Sequence, residues 1–132
     1  MRSSEIGLSC RGNVDEMSKP LGPYSPVVRA GDFIIVSGQG GMADGKVVEG
    51  GVTAETAQTM KNLASQLESV GAGLHDIVKT TCFLTDMDNF AAFNAAYAEA
   101  LGNHRPARST VAVAGLPAGF LVEVEAWAYK PA

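Results

Sequence analysis

Residues 105–129 read RPARSTVAVAGLPAGFLVEVEAWAY. Positions 109–113 and 121–127 are β-branched or apolar at alternate places, and Gly115, Pro117 and Gly119 punctuate the gap, which predicts two strands joined by a Gly-Leu-Pro turn. Glu123 and Glu125 stand two residues apart in the second strand, so both point to one face of the sheet while Val122, Val124 and Ala126 take the other. A strand this apolar does not ordinarily place two acids on a partly covered face unless that face meets water, a cation or a ligand.

Upstream, the alternation of element types is regular. Residues 27–30 and 33–38 read as a hairpin about Gly31-Asp32, and FIIVSG suits a central strand. That strand runs into Ser37-Gly38-Gln39-Gly40-Gly41, where glycines would admit a close backbone or a ligand, although a flexible loop is the commoner cause of such a run. Residues 46–49 add a short strand after Asp44-Gly45. A helix is predicted over 53–70, capped by Thr53, with Glu55 in its first turn and a stripe of Ala57, Met60, Leu63, Ala64, Leu67 and Val70. A further strand follows over 77–85, then a helix over 89–101 capped by Asp86 or Asp88, whose Phe90, Phe93, Tyr97, Ala100 and Leu101 share a face. Asn94 falls beside that stripe as a boundary polar residue. Ahead of everything, 5–10 suits an edge strand and 12–18 a loop, and KPLGPYSP at 19–26 is a stiff, proline-fixed segment. It presents Tyr24 in a defined direction, either packed beneath the loop or lining a site.

The order β, β, β, α, β, α, β, β predicts an α+β fold, a two-layer sandwich of a mixed sheet with two helices on one face. The other face would be bare and rich in Val, Ile, Phe and Ala, which argues for self-association through it. At 132 residues and 46% hydrophobic composition the chain fits one domain, 1–132, with a core of its own. A formal charge of −4 with no basic cluster counts against a nucleic-acid partner. The opening residues lack a signal-peptide run and no stretch has the length of a membrane span, so the expected compartment is the cytoplasm, with no membrane partner. Cys10 and Cys82 are too few for a disulfide framework, and Cys82 reads as a buried structural thiol. His75 and His104 have no metal-ligand spacing to other residues, so no metal site is expected.

GPYS at 22–25, VSGQ at 36–39, and PARSTVAVAGLP with VEVEAWA between 106 and 128 occur in the order that makes this chain resemble the reactive-intermediate deaminase family, RidA or YjgF/YER057c/UK114, over 19–129. Residues 1–18 extend ahead of the match. The resemblance implies a chorismate-mutase-like fold assembled as a homotrimer with sites between subunits. It implies cofactor-free hydrolysis of 2-imino or 2-enamino acids to 2-oxo acids and ammonia, as in a 2-iminobutanoate/2-iminopropanoate deaminase. Arg108 matches the substrate-binding arginine, since a guanidinium holds a carboxylate through two parallel bonds. Glu123 matches the acid that would orient or deprotonate water and protonate the leaving nitrogen. Tyr24, Gly38, Asn94 and Thr110 complete the implied substrate-binding set. Thr110 stands where many relatives carry cysteine, so a thiol role there is absent. Apart from the resemblance, Arg108 would more simply form an intersubunit salt bridge with Glu123 or Glu125, and Glu125 a structural pair with Lys79 or an arginine. The alternative functions are a non-catalytic trimer that binds small carboxylates or acts as a chaperone-like holdase, and a ribonuclease or translation inhibitor, which the acidic balance disfavours.

Overall fold

A computed structural model describes residues 20–132; the expected elements at 5–10 and 12–18, together with Cys10 and Lys19, lie outside the described residues. Strands β1 (Val27–Ala30) and β2 (Phe33–Gln39) form the expected hairpin, with Gly31 at φ 63° in the turn. The glycine-rich stretch is not wholly loop. Met42–Ala43 (β3) pairs with Lys46–Val47 (β4) as a separate two-stranded sheet across Asp44 and Gly45, both at positive φ.

Helix α1 spans Gly51–Glu68, so Thr53 lies inside it and is not its cap. Gly50, at φ 116°, makes the turn into the helix instead. The buried face also differs from the apolar stripe: Glu55, Thr56, Thr59 and Gln66 are buried beside Met60, Leu63 and Leu67, while Ala57 is exposed. Of these, the Thr59 hydroxyl donates to Glu55 O at 2.7 Å and Glu55 Oε1 accepts from Leu121 N, whereas Thr56 Oγ1 and Gln66 Oε1 are buried with no partner among the described residues.

A 3₁₀ turn over Leu74–Asp76 leads into β5 (Ile77–Leu84). Another, Met87–Asn89, leads into α2 (Phe90–Leu101), and the Asp86 carboxylate accepts the Asp88 N–H there at 2.9 Å. Phe93, Tyr97 and Leu101 of α2 are buried, whereas Phe90 and Ala100 are exposed. The last strands are β6 (Ala107–Ala112) and β7 (Val122–Tyr129).

These two strands are not a hairpin pair. The five-stranded sheet runs β1-β2-β7-β5-β6, with β5 between them. Because β6 returns from a crossover helix it pairs parallel to β5, and β7 enters antiparallel to both β2 and β5. The sheet is mixed as expected, and both helices pack on the face that carries Val122, Val124, Ala126 and Ala128. Its opposite face holds Glu123 and Glu125, with Phe33, Trp127 and Tyr129 in edge-to-face contact at 5.9 and 5.3 Å. Within the single chain these three rings are exposed.

A Cβ on Gly41 would fall 2.8 Å from Glu55 Cα, in the backbone of α1. Gly41→Ala is expected to cost about 1–3 kcal/mol, because neither backbone can yield without moving the helix off the sheet. Gly115→Ala, which meets nothing within 4 Å, serves as the neutral comparison in urea denaturation at fixed protein concentration.

Candidate functional site

The candidate residues fall into two groups. The first surrounds Glu123. The register of β2 against β7 shifts between Val36 and Gln39, and the shifted backbone brings Gly38 over the acid. A Cβ on Gly38 would lie 2.6 Å from Glu123 Oε1, and one on Gly40 would enter the Phe120 ring. The glycines therefore serve close approach and not loop flexibility. From α1, Asn62 Nδ2 donates to Gly40 O at 2.9 Å and Met42 O at 3.0 Å, and Gln58 steadies Asn62 Oδ1 at 3.0 Å. Glu55 Oε1 accepts the Leu121 N–H at 2.9 Å and so fixes the entry to β7.

Over this floor lies the proline-rich segment, tied down where the Ser37 hydroxyl donates to Ser25 O at 2.7 Å. The Tyr24 hydroxyl accepts the Leu21 N–H at 3.1 Å, and its ring lines a cleft of about 40 Å³ with Leu21, Gly38, Met42, Phe120 and Glu123. The two possibilities for Tyr24 are thus compatible: it is satisfied locally and still forms a wall. Burial, and secondarily the neighbouring Glu125 carboxylate, push the Glu123 pKa above its ordinary 4.5. Among the described residues Glu125 has no ion-pair partner, and Lys79, expected to serve, instead donates to Ser109 Oγ at 3.2 Å.

The second group surrounds Arg108. Its position on β6 is aligned with Thr80, and Thr110 with Cys82; both β5 partners are fully buried beneath the helices. The guanidinium carbon lies 5.6, 5.5 and 5.0 Å from the ring centroids of Phe90, Phe93 and Tyr97. Among the described residues it has no hydrogen bond or ion pair. Asn94 Oδ1 is likewise buried with no partner, and Thr110 Oγ1 is buried with only the weakly bonding Cys82 thiol beside it. Behind them the Tyr97 and Thr80 hydroxyls share a 2.7 Å hydrogen bond. Burial drives the Cys82 thiol up to about 11, with Thr80 and Arg108 opposing, so it is protonated and inert near neutral pH.

Arg108 and Glu123 therefore do not meet within one chain. Glu123 is aligned with Phe83 and Arg108 with Thr80, positions of opposite parity on β5, so the pleat sends the two side chains to opposite faces. The structure groups Arg108 with Asn94 and Thr110, and Glu123 with Tyr24 and Gly38. Sequence reasoning missed Glu55, Asn62 and the rings around Arg108. Asn62 had a signal in its position, an amide at mid-helix beside a glycine-rich loop; the rings had none, because they look like an ordinary core stripe. Among the described residues no three His, Cys, Asp or Glu side chains cluster as metal ligands, and no helix is long and apolar enough to cross a membrane.

A family model, Endoribonuclease L-PSP, matches residues 15–130. The chain belongs to this family. This is the RidA/YjgF family of the sequence resemblance, and its fold is the one seen here. The crystal structure of the Escherichia coli YjgF gene product superimposes with a TM-score of 0.79 at 39% identity, covering 83% of this chain and 90% of that one. A RutC family protein of Pyrococcus horikoshii is 42% identical over 114 residues, 85% of this chain and 90% of its own length. The mouse 2-iminobutanoate/2-iminopropanoate deaminase is 41% identical over 112 residues, 83% of each chain. As a family member, the chain shares its framework both with a named deaminase and with proteins named only for the family.

Since Glu125 adds to the rise in the Glu123 pKa, Glu125→Gln is expected to lower the pH at which Glu123 titrates. Carboxyl ¹³C NMR of wild type and variant measures this directly, and an unchanged midpoint would show that burial alone sets it.

Proposed function

We propose that this protein is a cofactor-independent deaminase that hydrolyses 2-imino and 2-enamino acids, working as a homotrimer whose sites each join the Arg108 group of one subunit to the Glu123 group of its neighbour. The single observation that carries this reading is the unpartnered Arg108 guanidinium beside the buried Asn94 and Thr110 oxygens, on the sheet face opposite Glu123. The guanidinium suits a carboxylate ligand, to which the Thr110 hydroxyl can also donate, while Asn94 Oδ1, an acceptor, suits an N–H or O–H donor beside it. Burial of the bare, aromatic sheet face by further copies supplies the missing contact between the halves.

In this mechanism Arg108 grips the substrate carboxylate, with Asn94 and Thr110 alongside. Glu123, a carboxyl whose burial favours its protonated form, gives its proton to the imine nitrogen and then takes one from the water that attacks the imine carbon. Collapse of the resulting carbinolamine returns that proton to nitrogen and expels ammonia, and the hydroxyl proton passes back to Glu123 as the 2-oxo acid forms. One water is consumed and no redox partner enters. Gly38 leaves room for the carboxyl to move, and Tyr24 closes the outer wall. An imine carbon is electrophilic enough for positioning and proton transfer to suffice.

The test uses imines generated in situ by an amino-acid oxidase and follows ammonia release. Arg108→Ala and Glu123→Gln are each expected to lower the rate about 10²–10⁴-fold. Refolding Arg108→Ala with Glu123→Gln in equal amounts should restore roughly a quarter of wild-type sites, the share that random association of three copies leaves intact. No acceleration by a wild-type trimer would overturn the deaminase. Carboxylate binding that needs Arg108 but not Glu123 would favour the non-catalytic binding protein.

A further inference from the structure

We infer that Phe90, with Phe93 and Tyr97, forms an aromatic cradle that fixes Arg108 in a ligand-ready orientation, and that Phe90 is the positioning residue at its open edge. This deepens the reading above, and its relevance to turnover rests on Arg108 meeting the substrate carboxylate. A long side chain left without hydrogen bonds would ordinarily sample many rotamers, at an entropic cost on binding. Here the three rings stand at positions 90, 93 and 97 on one face of α2, all within 5.6 Å of the guanidinium carbon. Cation–π attraction to the rings occupies none of the guanidinium's hydrogen-bond donors, so its N–H groups stay available to an anion.

The three rings are not equivalent. Phe93 and Tyr97 are buried, face each other with centroids 5.5 Å apart, and belong to the core; Tyr97 is anchored by the Thr80 hydroxyl. Phe90 is 39% exposed and makes no ring contact with another aromatic side chain among the described residues. Within the single chain, Arg108 is the one cation placed against the Phe90 ring among the described residues. A lysine in place of Arg108 would keep the charge and lose the planar surface that the cradle grips.

Phe90→Leu keeps an apolar side chain of similar size at an exposed site, and Phe90→Tyr keeps the ring. In wild type the Arg108 Nε–H resonance should be displaced by ring currents, with a high order parameter. Phe90→Leu should move it toward the free-arginine position and lower its order, and Phe90→Tyr should preserve both. For imine hydrolysis, Phe90→Leu should raise KM about 3- to 30-fold and leave kcat within about twofold, with no further effect in an Arg108→Lys background. An Arg108 resonance as mobile as that of a free surface arginine in wild type, or one unmoved by Phe90→Leu, would overturn the cradle. A displaced, ordered resonance in a wild-type protein that hydrolyses no imine would leave the cradle standing and remove the deaminase.

Discussion

Alternate residues of a β-strand point to opposite faces, and on this sheet that constraint places every polar group that matters. Val122, Val124, Ala126 and Ala128 of β7 go under the helices, so Glu123 and Glu125 must go to the other side. On β6 the same alternation turns Arg108 and Thr110 toward α2 while Ala107, Ser109 and Val111 face away. The two chemical groups are partly buried, on either side of one sheet. A single copy can complete neither a carboxylate clamp with an acid beside it nor the covering of its own bare face.

Around this sheet the polar side of α1 acts as a bracket. Asn62 holds the backbone of Gly40 and Met42, and Glu55 holds the N–H of Leu121. These bonds lock the end of β2 and the beginning of β7, the two segments between which the Glu123 carboxyl lies. The absence of a side chain at Gly38, Gly40 and Gly41 lets acid, ring and helix approach within contact distance. Rigidity in a glycine-rich segment thus comes from what packs into the vacated space and from side chains that bond its carbonyls.

On the helix side the polar groups grade into the core. Cys82, Thr80 and Tyr97 are buried and linked, and the Tyr97 ring is both part of the hydrophobic cluster and one wall around Arg108. Desolvation keeps the thiol neutral, so the charges that act on this region among the described residues are cationic, Arg108 foremost and Arg105 beyond it. The acid face is the reverse: two carboxylates with no cation among the described residues to pair them, one of which resists ionisation.

The sequence by itself determined most of the strands, both helices and the inward and outward sides of β7. Alternation around 122–128 assigned Glu123 and Glu125 to one face, two helices stood between strands, and the short motifs singled out Tyr24, Gly38, Arg108 and Glu123. Those signals are local, carried by periods of two and 3.6 residues within one element. Only the tertiary structure decided that β5 separates β6 from β7, that Arg108 and Glu123 occupy opposite faces, that α1 buries Thr56, Thr59 and Gln66, and that three rings of α2 enclose a cation. The physical reason is that periodicity says which way a side chain points relative to its own strand or helix. Strand order and register, set by pairing between residues distant in sequence, determine what it points at.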